Sequence, residues 1–322
     1  MKATGDKKPT VLIVSERFAN FDTDIMSNHT YGMIGSLVNT GTAHVRTFWY
    51  DEFLLHNPWE NPSCAFAQFV EAVKPDLVVA TTLFQLTEEW RIGPDAYGKV
   101  NQKTPVIMLI YESSPDALAA CDEYAPYVTA SIVVDRVEAP TLVKHQDKCK
   151  FLLEPRDTGH FYDKEAVRDR PISYGGSLLS RPMRCAALAN LMANGVKVSK
   201  YGGWNEDRLP FALYVDCLQR SAITLNFTSA GSYKHMTGRC AEAMLCGSMV
   251  MEEEGADTDK FLEPFVDYVP WNMDNIVELA RRYIEDEPER KKIAENGKRK
   301  ALELFDGRLF WRQMFETAGL AS

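Results

Sequence analysis

Short apolar runs that alternate with amphipathic helical stretches, twice along the chain, constrain its fold more than any other feature. Thr10–Ser15 (TVLIVS), Val45–Trp49, Asp76–Ala80, Val106–Tyr111 and Ser131–Val134 each read as a buried strand. Between them lie helical patterns: one begins near Asn28 and stops at Asn39-Thr40-Gly41, and another, Ala65–Val73, ends at the breaker Lys74-Pro75. Continuous apolar strands separated by helices predict a parallel sheet covered on both faces, because each parallel connection needs a long crossover. One doubly wound α/β domain is therefore expected up to about residue 155.

The pattern restarts after a polar segment, Glu154-Pro155-Arg156-Asp157-Thr158-Gly159-His160, whose proline and glycine read as a linker. Strands are expected at Pro171–Tyr174, Val196–Tyr201, Ala222–Phe227, Ser248–Glu252 and Tyr268–Pro270. The helices expected with them are Arg181–Asn194, Leu209–Gln219, Gly238–Cys246, Met273–Ile284 and Pro288–Phe305. The fold class is thus α/β, with one domain over 1–157, a second over 158–305 and a terminal helix over 306–322. Sheets of this kind bind ligands beyond the carboxyl ends of their strands, and two in tandem enclose a cleft suited to two substrates.

Charge and cysteine usage narrow the function. The formal net charge is −9, and residues 1–160 hold 14 Lys and Arg against 21 Asp and Glu. Such a balance disfavours nucleic acid and anionic membrane as partners and favours a small molecule. Seven cysteines without a C-x-x-C pair suggest neither a disulfide framework nor a zinc knuckle, and a cytoplasmic location fits best. The early apolar run Val11–Val14 is too short for a secretory signal, and no run approaches a bilayer span, so no targeting or membrane segment is expected.

Chemistry concentrates in residues 225–247, LNFTSAGSYKHMTGRCAEAMLCG. A strand feeds a loop of small and cationic residues, Ser232, Lys234 and His235 among them, which opens a helix at Gly238. The free N–H groups and dipole of a helix start favour a phosphate. Arg239 in the first turn can grip a diphosphate with a bidentate fork. Glu242, three residues on, shares its face, opposite Ala241, Met244 and Leu245, and can accept hydrogen bonds from ribose hydroxyls. The alternative for Arg239 and Glu242 is a surface ion pair of little energetic weight.

Gly238–Gly247 (GRCAEAMLCG), followed by Met249-Val250-Met251 and the late Ile293-Ala294-Glu295-Asn296-Gly297, resembles the donor half of group 1 glycosyltransferases, in particular the spore-maturation-protein-B-like branch. Tyr174-Gly175-Gly176-Ser177 with Arg181, then Val198-Ser199-Lys200-Tyr201-Gly202, looks like the start of that domain. Leu153-Glu154-Pro155 leading to Gly159-His160-Phe161 is similar to the family's crossover between domains. The resemblance covers about residues 150–305 and implies a GT-B fold, two facing Rossmann-like domains with a cleft between them. It implies a nucleoside diphosphate sugar as co-substrate, a UDP-sugar first, and no other cofactor. Glu242 matches the ribose-binding glutamate, and Arg239 and Arg181 match positions near the diphosphate. Gly176, Tyr201, Gly202, Ser232, His235 and Gly238 complete the expected donor-binding set. The family's earlier glutamate, eight residues before the ribose-binding one, is Lys234 here, which leaves sugar identity and stereochemistry open and offers a phosphate contact instead.

The resemblance assigns residues 1–157 to the acceptor and the final helix to a crossing back onto that domain, anchored by Phe310, Trp311, Met314 and Phe315. Glu112, after the strand that starts at Pro105-Val106, stands about where the family carries a histidine and can orient or deprotonate an acceptor hydroxyl. Its alternative is a helix-capping or surface acid. His29, in the loop after the first strand, is a second catalytic candidate beside Arg239 and Lys234. Trp204 is a candidate for base stacking. Asp22-Thr23-Asp24 and Asp257-Thr258-Asp259 match a D-x-D metal motif, but a chance match is expected with 21 aspartates, and neither is expected to follow a strand as a metal site requires. No metal is expected. P-loop, G-x-S-x-G and G-x-G-x-x-G patterns are missing, which disfavours an NTPase, an α/β-hydrolase and a dehydrogenase.

The leading expectation is a metal-independent hexosyl- or pentosyltransferase that moves a sugar from a nucleoside diphosphate donor to an acceptor hydroxyl. Two alternatives stand beside it. One is transfer to a hydroxymethylated DNA base flipped into the cleft, which the acidic first half disfavours. The other is a nucleotide-sugar-binding protein without turnover, suggested by Lys234 in place of a carboxylate.

Overall fold

Both halves are built on strands that are apolar on alternate residues in both directions, so each face of each sheet must be covered. The computed structural model describes residues 8–19, 22–27, 29–81, 90–201, 209–230 and 233–320. It divides into unit 1, Met1–Asp157 with Gly307–Ser322, and unit 2, Thr158–Asp306.

Unit 1 contains a six-stranded sheet of β1 (Thr10–Ser15), β2 (His44–Trp49), β3 (Leu77–Thr81), β4 (Val106–Ile110), β5 (Ala130–Val133) and β6 (Cys149–Phe151). All neighbours pair in parallel, in the order β2-β1-β3-β4-β5-β6. Leu12, Val14, Val78, Val106 and Met108 enter one core, whereas Val11, Ile13, Leu77, Ile107 and Leu109 enter another, as the two-residue period of a strand requires. Helices α1 (Gly35–Thr40), α2 (Pro62–Val73), α3 (Pro94–Asn101) and α4 (Pro115–Tyr124) supply most of the cover. The last helix, Gly307–Thr317, places Phe310, Trp311, Met314 and Phe315 in the second of these cores, and the Trp311 indole N–H donates to Ser36 Oγ at 3.0 Å.

Unit 2 repeats the plan with β7 (Arg170–Gly175), β8 (Ser199–Tyr201), β9 (Ser221–Asn226), β10 (Met249–Glu253) and β11 (Val269–Trp271), in the parallel order β8-β7-β9-β10-β11. Its helices include α5 (Pro182–Ala193), α6 (Phe211–Arg220), α7 (Gly238–Leu245), α8 (Ile276–Glu285) and α9 (Glu287–Leu304). The α/β class with parallel sheets agrees with the sequence reading. In each unit the order reverses between the first and third strands, so ligand sites are expected beyond β1/β3 and β7/β9.

The differences are local. Thr30–Ile34 forms a π-helical turn before α1, and the expected helix start at Asn28 lies outside the described residues. Val196–Val198 is not strand, because α5 closes through Gly195 at φ +78° and the chain reaches the sheet edge only at Ser199. Helices α3 and α4, the helix Tyr50–His56 and strand β6 were not expected from periodicity. They are short, and an eight-residue helix offers barely two turns of pattern.

Candidate functional site

The switch point of unit 2 brings the glycine turn after β7 against the helix that follows β9. A Cβ built on Gly176 would lie 3.3 Å from Arg239 Nη2 and 2.9 Å from Tyr174 Oη, and the residue has φ +149°. Only glycine holds this turn without strain while letting a guanidinium approach the backbone. The buried Tyr174 hydroxyl donates to Ser177 O at 3.0 Å and fixes the turn from below.

Arg239 is held by Asn226, whose Oδ1 accepts from Arg239 Nη1 at 3.3 Å. The Asn226 amide donates to Glu252 Oε2 at 2.9 Å and to Thr237 Oγ1 at 2.8 Å, so one buried side chain ties β9, β10 and the N-cap of α7 together. Glu252 also accepts from the Thr258 hydroxyl, and burial pushes its carboxyl pKa up. Among the described residues Arg239 Nε is buried without a hydrogen-bond partner.

His235 presents a second unmet group. Its Nδ1 is buried without a partner among the described residues, while its backbone N–H donates to Thr228 O at 3.0 Å. Burial, reinforced by Arg184, Arg239 and Arg181, pulls its pKa down to about 4, so the ring is neutral at physiological pH. Three guanidiniums thus bear on one neutral imidazole. The sequence reading named Arg181 and Arg239 but missed Arg184, which donates from Nη1 to Tyr174 Oη and Ser177 O, both at 3.3 Å, and lies 5.8 Å over the Phe227 ring. Its signal was the spacing, three residues after Arg181 across the Pro182 helix start.

Glu242 sits half-buried on α7, and the buried Ala241, Met244 and Leu245 form the packed face, as expected. Its carboxylate accepts from the Tyr214 hydroxyl of α6, and burial followed by the charge of Glu242 pushes the Tyr214 pKa well up. Gly238 opens α7 directly behind Thr237, and Tyr201 ends β8. Arg170 lies 5.0 Å over the Tyr201 ring, a packing role. Gly202, Ser232 and Trp204 lie outside the described residues.

The Lys234 ammonium donates to Glu254 O and pairs with Glu253 Oε1 at 3.3 Å, which ties its hairpin to the end of β10. Beside it, Phe227, Trp271, Met273, Glu253 and Glu254 help line a cavity of about 400 Å³ at the carboxyl ends of β9, β10 and β11.

In unit 1, His29 and Glu112 come to the same end of the sheet. His29 stacks on Tyr111, with ring centroids 3.9 Å apart and planes 11° from parallel, and its Nδ1 lies 3.3 Å from Ser15 Oγ. Burial and then Arg156 pull its pKa down to about 4. Glu112 accepts from the Ser114 hydroxyl at 2.9 Å, and Ser114 itself caps α4 by accepting from Ala117 N at 3.3 Å. The acid therefore supports a helix cap. Its neighbour Ser113 donates from N and Oγ to the buried Asp135, at 2.8 and 2.5 Å. Burial nevertheless pushes the Asp135 pKa up to about 6.

Among the described residues no group of three or more His, Cys, Asp or Glu is placed to hold a metal, and no helix is long and apolar enough to cross a membrane. Asp257-Thr258-Asp259 forms a short helical turn soon after β10, contrary to the expectation that no strand precedes it, yet Asp257 pairs with Lys260 at 2.7 Å. Asp22–Met26 is itself a strand of a small hairpin.

Residues 181–315 match the sequence model of a family described as glycosyl transferase-like. No curated protein matches the sequence. Among solved structures, HepE from Anabaena in complex with UDP-glucose is similar at 13% identity, with 96% of this chain and 99% of that one covered and a TM-score of 0.64. Sucrose-phosphate synthase from Thermosynechococcus elongatus is similar at 12% identity over 96% and 99% of the two chains, with a TM-score of 0.67. AviGT4, a glycosyltransferase involved in avilamycin A biosynthesis, gives 12%, 96%, 97% and 0.64 in the same measures. These likenesses, with the two parallel sheets, establish the GT-B type of fold.

Proposed function

We propose that the chain is a glycosyltransferase in which unit 2 binds a nucleoside diphosphate sugar and unit 1 serves the acceptor hydroxyl. One observation carries the reading: at the β7/β9 switch point Arg181, Arg184 and Arg239 bear on a neutral imidazole, and Arg239 Nε and His235 Nδ1 are buried without partners among the described residues. Unmet buried donors are costly, and a diphosphate supplies the acceptors that Arg239 lacks. The family match spans all of these residues, and HepE was solved with UDP-glucose, which makes a UDP-sugar the first donor to test.

On this reading the bond from the sugar's anomeric carbon to the diphosphate oxygen breaks as the acceptor oxygen bonds to that carbon. Negative charge develops on the leaving diphosphate, where preorganised guanidiniums and the start of α7 stabilise it, the effect that usually dominates such catalysis. Charge compensation by three arginines makes a divalent cation dispensable. Glu242, oriented by Tyr214, takes the ribose hydroxyls. The acceptor proton passes to water, since Glu112 is engaged by Ser114 and burial with Arg156 keeps His29 from holding a proton.

The test is release of nucleoside diphosphate from UDP-, GDP- and ADP-sugars, with chelator present and an acceptor panel supplied. Turnover with one nucleotide, with a KM raised roughly 5- to 150-fold in Glu242→Ala, is expected from the loss of a charged hydrogen-bond pair. No release from any donor would sink the proposal.

A further inference from the structure

We propose that Glu252 is a positioning residue of the donor site, fixing which way the Asn226 amide faces and, through that amide, the Arg239 guanidinium, an inference that rests on the donor reading above. Glu252 opens a run of three glutamates, and such a run is ordinarily a solvated face. In the fold it is 1% exposed, near the carboxyl end of β10. The parallel register sets it beside Asn226 of β9, which is fully buried, and residues in register on adjacent strands project from the same face. A buried carboxyl costs free energy unless it is hydrogen-bonded. Glu252 accepts from Asn226 Nδ2 at 2.9 Å, from the Thr258 hydroxyl and from the Cys240 thiol.

These bonds decide what faces Arg239. A side-chain amide carries two N–H donors on its nitrogen and a separate acceptor oxygen. Both donors of Asn226 are committed, one to Glu252 and one to Thr237 Oγ1 at 2.8 Å, so Oδ1 is left to accept from Arg239 Nη1 at 3.3 Å. Turned the other way, the amide would present N–H groups to a guanidinium that can only donate. Donors converge on the Glu252 oxygens, which therefore act as acceptors and hold the amide nitrogen toward themselves. The same amide engages the Thr237 hydroxyl. A threonine at an N-cap ordinarily accepts from the first-turn N–H groups, yet among the described residues Thr237 makes no such bond with its side chain. The first turn of α7 is thereby kept open to an anion beside Arg239.

The experiment titrates UDP, GDP and ADP into the full chain by calorimetry and carries the nucleotide that binds into variants that are also unfolded in denaturant. Glu252→Met removes the acceptor and should weaken binding by about tenfold or more, the worth of a hydrogen bond to a charged group. Thr258→Val removes a different partner of the same carboxyl and should lower stability while leaving affinity within about twofold. Asn226→Ala/Glu252→Met should bind no worse than Asn226→Ala, because a residue that acts through Asn226 then has nothing left to position. This double variant leaves no stranded partner between the two positions, so its comparison with Asn226→Ala decides the question should Glu252→Met alone not fold. Affinity at wild-type level in folded Glu252→Met, equal losses in Thr258→Val and Glu252→Met, or a further loss in the double variant would overturn the inference and leave the donor reading standing. Binding of none of the three nucleotides by the wild type would overturn the donor reading, and the inference with it.

Discussion

The two units share a topology and differ in how they finish the carboxyl ends of their sheets. In unit 1, His29 lies against Tyr111 and Ser15, Glu112 takes the Ser114 hydroxyl, and Arg156 donates to Glu154 at 2.7 Å and to Pro155 O at 2.9 Å. In unit 2 the corresponding end keeps Arg239 Nε and His235 Nδ1 buried and, among the described residues, unmet, whereas the buried groups unit 1 leaves unmet are the hydroxyls of Thr30, Tyr97 and Ser131. Most buried polar groups find partners, and a guanidinium and an imidazole left unmet side by side point to a ligand that completes them. Equal folds thus carry unequal sites, and the chemistry of the unmet groups tells them apart where topology does not.

The hardest way to break this contrast is to remove Asn226, the fully buried residue that links Arg239, Thr237 and Glu252. Asn226→Ala should cost about 3 kcal/mol in denaturant unfolding, because it strands a buried carboxyl and a guanidinium together. A loss below about 1 kcal/mol would show that Arg239 is held by other means.

The next effect belongs to unit 1 and to pH. His29 has its pKa lowered from 6.5 to about 4 by burial and Arg156, so between those values the unfolded chain binds a proton that the folded chain refuses. The stability of the wild type relative to His29→Asn should then fall by on the order of 2–3 kcal/mol as the pH drops from about 6.5 to 4. A difference independent of pH across that window would mean that the imidazole is not sequestered.

Gly176→Ala sharpens the comparison at lower cost. The new methyl group would meet Tyr174 Oη and Arg239 in a conformation that L residues rarely adopt, with an expected loss of about 1–3 kcal/mol. It should also weaken UDP binding, whereas stability and affinity both at wild-type level would detach this turn from the site. Ser114→Ala should be the mildest, costing about 1 kcal/mol through the lost cap of α4. If Glu112 serves mainly that cap, UDP binding stays unchanged in this variant, and a large loss of binding would contradict the assignment.

Much of this is legible in the sequence alone. Long apolar strands such as Val106–Ile110 and helices closed by glycine, as at Gly41 and Gly195, announce themselves by period and stop signals. Arg239 and Glu242 were legible because one helix turn separates them. The partners of Lys234 were not legible, because Glu253 and the Glu254 carbonyl lie some twenty residues away and meet it only through the β9/β10 pairing. Arg184 was missed although it stands one helix turn after Arg181; only the fold shows that its guanidinium reaches back to Tyr174 and Ser177. Short-range pattern reveals elements and contacts along one helix, but contacts made across strands need the fold.

The most direct test of the central claim is titration of UDP, GDP and ADP into the wild type and Arg239→Ala with chelator present. One site per chain is expected for one of these nucleotides, with affinity reduced by about tenfold or more in Arg239→Ala, as the loss of charge-assisted hydrogen bonds requires. No binding by any of the three, or binding indifferent to Arg239, would contradict it.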